Sequence, residues 1–391
     1  MNPKAPEIRR RYDRLREAMV TGNVDAVLVC GNQYAGFEGA VRYISGFEIV
    51  HRYAYVLVPL EGEPTLVFPR EARWIGDKKK TWIANQVWPD VPGKWLCQHF
   101  QKSGVKRVGV VGLDFVMPVR DYRELQGRAE LLPFDFQFDM MRAIKSDAEF
   151  SEIRDSMSII LDGFWRLVEG FSPGRTEAEI MAPATQRFVA RGAGSRMMNM
   201  VLSGSNGSAE PFFKLPAHRT VETDDVVLCS LEITGSEGYW VEFSRPLIRG
   251  KLSPTSERMK EIYPEAMAAG KRLLREGELA SNVHRAVTEK LARYKFSLGH
   301  LSGHSIGQTM IEHPAIGANT DVVLRENMVF SLHPQVVDEK GRICLYTQDT
   351  YRVGKTEGEN LCNVPWKFFH GGEVEPSGSG KSATERKPSL D

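Results

Sequence analysis

Ser146-Asp-Ala-Glu149 marks the point at which the chain changes its pattern, and that change constrains the fold more than any other feature. A serine followed three residues later by glutamate is a capping box, whose side chains satisfy the orphan N–H groups that open a helix. The apolar spacing beyond it predicts an amphipathic helix to about Phe171, stopped by Pro173-Gly174. Thr176-Glu-Ala-Glu179 opens a second helix in the same way. From Val226 the pattern gives two strands, helices near 255–275 and 281–295, then strands over Met328–His333 and Ile343–Val353. Helices and strands are segregated here, which is an α+β signature.

The chain before Ser146 reads differently. Ile8, Tyr12, Leu15 and Met19 recur at helical spacing. Asp25–Cys30, Tyr53–Leu60, Thr65–Phe68 and Arg107–Val111 read as strands, with a helix over Val119–Gln126. Such interleaving predicts an α/β unit with a parallel or mixed sheet. The expected division is therefore 1–142, 143–370 and a tail, 371–391. The tail is Ser, Gly, Lys, Glu and Pro with almost no apolar side chains, so it cannot offset its ordering entropy and is expected to be disordered.

With 391 residues the chain exceeds one ordinary core. A formal charge of +1 gives no electrostatic reason to expect nucleic acid or an anionic membrane as partner. No apolar run approaches the roughly 20 residues of a membrane span. Met1–Arg11 is charged and lacks the apolar stretch of a secretory signal. Five scattered cysteines with no C-x-x-C pair argue against disulfides and a structural zinc site, and suggest a reducing cytoplasm.

An ordered series of landmarks then resembles the creatinase / aminopeptidase P / prolidase superfamily, the pita-bread enzymes. Arg142-Ala-Ile-Lys145 with Glu149 and Ile153 resembles the family's hinge, and Pro173-Gly-Arg-Thr-Glu177 its next helix entry. Asp225-Val-Val, Gly238-Tyr239, Glu242 and Arg245 resemble the first metal-bearing hairpin. Gly303-His-Ser-Ile-Gly307 with Glu312 and Pro314 resembles the glycine-histidine loop. Asn327-Met-Val-Phe-Ser-Leu-His333-Pro and Gln348-Asp349 resemble the two terminal ligand strands. The resemblance implies a pita-bread catalytic domain preceded by an α/β creatinase-type domain.

It also implies a site whose ligands have changed. The family's metallopeptidases hold two divalent ions with two Asp, one His and two Glu. The matching positions here are Ser230 (or Leu231), Glu242, His304, His333 and Gln348. One carboxylate where four are expected leaves two ions under-neutralised, so no two-metal centre is expected. Among metal-free relatives, creatinase resembles this chain at Glu242 and Gly303-His-Ser305, but its acid/base histidine falls at Phe213. The loop Glu210-Pro-Phe-Phe-Lys214 is similar to one in the dimethylsulfoniopropionate lyases.

Strand alternation puts Trp240, Glu242 and Ser244 on one face, Val329, Ser331 and His333 on another, and Tyr346, Gln348 and Thr350 on a third. Together they predict a polar cluster with one carboxylate and two imidazoles. Glu242 is the candidate base or nucleophile, His304 the proton donor and His333 the stabiliser of developing charge. Gln348, Tyr346, Phe213 and Glu312 are candidate substrate contacts. The bland alternatives are a structural ion pair for Glu242, perhaps with an arginine, and ordinary core or loop histidines. Glu242, His304 and His333 also form a two-histidine, one-carboxylate set able to hold a single metal. In creatinase-like dimers a basic residue after a Tyr-x-x-Gly-like turn reaches the partner's site. The resemblance transfers that role to His51 or Arg52, beyond Tyr43-Ile-Ser-Gly46.

The leading expectation is a cytoplasmic, homodimeric hydrolase that cleaves a C–N bond in a small polar molecule without metal, by analogy with creatinase and ectoine hydrolase. The alternatives are a metal-dependent Xaa-Pro peptidase or lyase, and a binding module that kept the fold and lost the chemistry.

Overall fold

The computed structural model describes residues 5–204 and 213–374. The first unit is a six-stranded mixed sheet of β1 (Ala26–Asn32), β2 (Tyr53–Pro59), β3 (Thr65–Val67), β4 (Asn85–Val87), β5 (Arg107–Val111) and β6 (Glu130–Pro133). Its order is β4-β3-β2-β1-β5-β6. Strands β1, β5 and β6 are mutually parallel, whereas β2 runs antiparallel to both β1 and β3. This is the mixed sheet that the interleaved pattern predicts. Helices α1 (Ala5–Thr21), α2 (Gly39–Ser45), α3 (Pro92–Ser103), α4 (Val119–Leu125) and α5 (Asp135–Ala143) accompany it. Valines and leucines of β1 point to both faces and are fully buried, the signature of a strand covered on both sides.

The second unit opens with α6 (Asp147–Gly170) and α7 (Glu177–Ala190). Both predicted capping boxes are present, each with reciprocal serine or threonine and glutamate hydrogen bonds. Glu149 does more than cap, since its carboxylate also takes Arg10 at 2.6 Å and the Tyr239 hydroxyl at 3.0 Å. Replacing Ser146 by alanine removes only the cap from Glu149 N–H. It is expected to cost about 1 kcal/mol of stability in urea unfolding, with an unchanged denaturant slope.

Helices α6 and α7 pack on the sheet formed by β7 (Met200–Gly204), β8 (Val226–Thr234), β9 (Trp240–Phe243) and β10 (Leu247–Ile248). Helices α8 (Pro254–Leu273) and α9 (Ala280–Ala292) pack on the other half through Met259, Tyr263, Val283 and Val287. That half contains β11 (Ser297–Leu298), β12 (Gly303–Ser305), β13 (Glu312–Ile316), β14 (Val329–Leu332), β15 (Val336–Val337), β16 (Ile343–Leu345), β17 (Asp349–Arg352) and β18 (Glu359–Asn360). The two halves meet where Ser244 bridges to Gln348 and Thr350 Oγ1 donates to the Glu242 carbonyl. The chemistry sits at that seam.

Two expectations change. Ile343–Val353 is not one strand. It breaks at Tyr346-Thr347-Gln348, and its two pieces belong to different sheets. The predicted tail also starts too early. Gly372 N–H donates to Val168 and the Glu373 carboxylate accepts from His370 N–H, so 371–374 are tied to the body. The rest of that tail, and Glu210, Pro211 and Phe212 of the predicted loop, lie outside the described residues.

Candidate active site

Strand β8 alternates Ser230, Glu232 and Thr234 with Cys229, Leu231 and Ile233, and pairs antiparallel with β9 so that Glu232 stands directly across from Glu242. Directly paired residues point to the same face. Two carboxyls therefore share the seam, and the expectation of a single one is corrected. Ser230, rather than Leu231, shares that face. Its hydroxyl donates to Glu232 Oε1 at 2.5 Å.

Gln348 joins the pair. Its Nε2 donates to Glu232 Oε1 at 3.0 Å and to Glu242 Oε2 at 2.9 Å, and Ser331 Oγ donates to Glu242 Oε2 at 2.5 Å. The break in the predicted strand is what frees Gln348 to point at both. Burial raises the Glu232 pKa to about 8, with the Glu242 charge adding to the shift, and burial raises Glu242 to about 7. Two neighbouring buried carboxyls cannot both ionise cheaply, so near neutrality the pair retains a proton. The alternative reading of Glu242 as an ion-pair partner of an arginine finds no such pair among the described residues, where Arg245 instead takes Asp349 at 2.8 Å.

His304 lies on β12 with Nε2 3.5 Å from Glu242 Oε1, and its Nδ1 is 3.0 Å from the Ser305 carbonyl. A carbonyl only accepts, so Nδ1 carries a hydrogen and Nε2 is the nitrogen that faces Glu242. His333 stacks edge-on to His304 with ring centroids 4.9 Å apart. Neither His333 ring nitrogen has a hydrogen-bond partner among the described residues, although the side chain is buried. Burial lowers the pKa of both imidazoles, which favours their neutral forms. His333 can still stabilise charge through a neutral N–H.

Tyr346 lies 6.0 Å from the His333 ring and Phe213 lies 4.7 Å from Tyr346, so both expected contacts wall the cluster. Glu312 is not placed there as a contact. Its carboxylate is held by Lys145 at 2.9 Å and Arg142 at 3.1 Å, all three buried. His51 and Arg52 also lie outside the cluster of their own chain, with Arg52 paired to Glu71 at 3.4 Å and largely exposed. Sequence reading missed Glu232. The signal was the alternation in β8, which becomes decisive only once the hairpin register is known.

The donor set tests for metal. Glu242, His304 and His333 each offer an atom within 4.8 Å of the others. Two carboxylates and two neutral imidazoles supply too little negative charge for two divalent ions, and a two-metal centre does not fit. One ion on Glu242, His304 and His333 does.

Comparison with known proteins agrees with this architecture. The family model for metallopeptidase family M24 matches residues 151–355, and that for the creatinase/prolidase N-terminal domain matches residues 11–144. The chain belongs to metallopeptidase family M24, in the creatinase / aminopeptidase P / prolidase superfamily. It is similar to an Xaa-Pro dipeptidase of Pyrococcus horikoshii, 24% identical over 366 residues that cover 89% of this chain and 98% of that protein. A probable dipeptidase PepE of Mycobacterium tuberculosis is 28% identical over 198 residues, half of this chain and 52% of that protein. The solved X-Pro aminopeptidase of Thermotoga maritima superimposes with a TM-score of 0.78 at 21% identity, over 92% of this chain and 99% of its own. The solved prolidase of Thermococcus sibiricus gives 0.80 at 21% identity, over 95% and 99%. The structural likeness shows the fold.

Proposed function

We propose that this chain hydrolyses an amide or amidine C–N bond in a small polar molecule, using the carboxyl pair Glu232/Glu242 in place of a two-metal centre. The observation that carries this reading is the single Gln348 amide donating to both carboxyls. Such an arrangement suits one ionised and one protonated partner. Glu242, which faces His304 and accepts from both Ser331 and Gln348, is the base. It takes a proton from water as the water oxygen bonds to the substrate carbon. The C–N bond then breaks, its electron pair passes to nitrogen, and Glu232 supplies the proton. The pair ends with one proton, as it began. His333 N–H stabilises the oxygen or nitrogen that gains negative charge, while Tyr346 and Phe213 bound the substrate. The hydrogen-bond partners of the two carboxyls are Ser230, Ser331 and Gln348, with His304 near Glu242, so the site favours a cationic substrate such as an amidine. A homodimer in which His51 or Arg52 of one subunit serves the other's site, in a cytoplasmic enzyme, completes the proposal by family analogy.

A second reading rests on the convergence of Glu242, His304 and His333 with an unpartnered His333. These residues would hold one metal ion, which supplies Lewis acidity when bound. Metal content separates the two. Protein purified without added ions is expected to contain well below one equivalent of metal and to keep its activity on amides and amidines in chelator. About one tightly held ion whose removal abolishes turnover would transfer the function to the second reading.

A further inference from the structure

Away from the carboxyl pair, a cavity of about 770 Å³ opens between the two units. Its floor is the carboxyl ends of the parallel strands β1, β5 and β6, where Cys30, Val111 and Pro133 lie. In open α/β sheets, ligands are taken up at that end of the strands. Its roof is the connection from β12 to β13, through Thr309, Met310 and Ile311. The lining is chiefly apolar and aromatic, with Phe37, Phe115, Phe136 and Met198 turned toward it. Phe115 is 84% exposed and Ile311 59%, although each borders a hollow of ligand size.

The charges there have one sign left over. Asp139 takes Arg142 at 2.6 Å and His313 at 2.9 Å, and Arg142 also faces Glu312, so both cations are already engaged. Asp135 accepts only a backbone bond from Gly112 at 2.8 Å, and Asp114 is exposed. Among the described residues neither is paired with a cation.

We propose that this cavity is a second binding site, for a small molecule joining an aromatic body to an amine, with the ring among Phe37, Phe115 and Phe136 and the ammonium at Asp135. The aromatic walls supply apolar contact, and Asp135, nearer the parallel-strand ends than the exposed Asp114, supplies an uncompensated negative charge beside Phe136. The site is separate from the carboxyl pair and does not depend on how that pair works.

Isothermal titration calorimetry on the full chain, with phenethylamine and with phenylpropionate, tests this. The two probes share a ring and differ in the sign of their charge. Phenethylamine is expected to bind at least about tenfold more tightly than phenylpropionate. Asp135→Asn keeps the acceptor for Gly112 N–H and should weaken the amine about tenfold. Phe115→Ala changes an exposed ring with no role in the core and should weaken both probes, whereas Glu242→Gln should leave binding unchanged. Equal affinity for the two probes, no measurable binding of the amine, or loss of binding in Glu242→Gln but not in Asp135→Asn would each overturn the proposal. So would sedimentation showing a dimer that shields this face and a Phe115→Ala variant that dissociates it, because a second copy would then be the occupant.

Discussion

Glu242→Gln is expected to lower kcat by about a thousandfold or more while leaving the protein folded. The substitution keeps the volume and an oxygen able to accept from Ser331 and Gln348, which now bond Glu242 at 2.5 and 2.9 Å. What it removes is the capacity to take a proton from water. The Glu242 pKa, pushed up to about 7 by burial, makes its ionised form an effective base at neutral pH. KM should change only a few-fold, because the group acts on the reacting atoms rather than on the remainder of the substrate. The measurement is steady-state turnover of the best substrate found in a panel of small amides and cyclic amidines, with thermal unfolding of the same preparations. An unchanged kcat would remove Glu242 from the chemistry. A folded variant with unchanged ligand binding, alongside a wild type that turns over nothing in the panel, would favour a binding module.

The parts of this molecule legible in the sequence are those set by local chemistry. Ser146 with Glu149 and Thr176 with Glu179 announce helices because a cap is completed within four residues. Four strands of the first sheet, β1, β2, β3 and β5, are likewise legible, since a strand buried on both faces is a run of apolar residues. The partly exposed edge strands β4 and β6 gave no such run and were missed. Glu242 and His333 were found because strand alternation and ordered landmarks both point to them, His304 from its landmark alone, and the structure brings the three together. Glu232 was missed because its role depends on which residue it pairs with across the hairpin, and strand period alone does not fix register. Glu312 was misplaced for a similar reason. Lys145, 167 residues away, neutralises it, and only the tertiary fold shows that contact. The break at Tyr346–Gln348 escaped because Ile343–Val353 is rich in strand formers throughout. The demands of two different sheets override that local preference.

The carboxyl pair also leaves a mark on stability, and Glu232→Gln is expected to reveal it. Folding raises the Glu232 pKa from 4.5 to about 8 and that of Glu242 from 4.5 to about 7. Between those limits the native state holds protons that the unfolded chain has released, so stability falls as pH rises. The contribution is fully present below about pH 4.5 and is lost by about pH 8, with a total on the order of a few kcal/mol for the coupled pair. Glutamine at position 232 cannot ionise, and it still offers an oxygen to Ser230 and Gln348. The variant should therefore match or slightly trail the wild type near pH 5 and exceed it by a few kcal/mol near pH 9, with a shallower decline between. Urea unfolding across that range at constant salt reads the difference directly. Parallel curves would mean that Glu232 ionises without penalty in the native protein. That is the behaviour of a carboxylate already facing a cation, and it would move the chemistry from a shared proton to a bound metal.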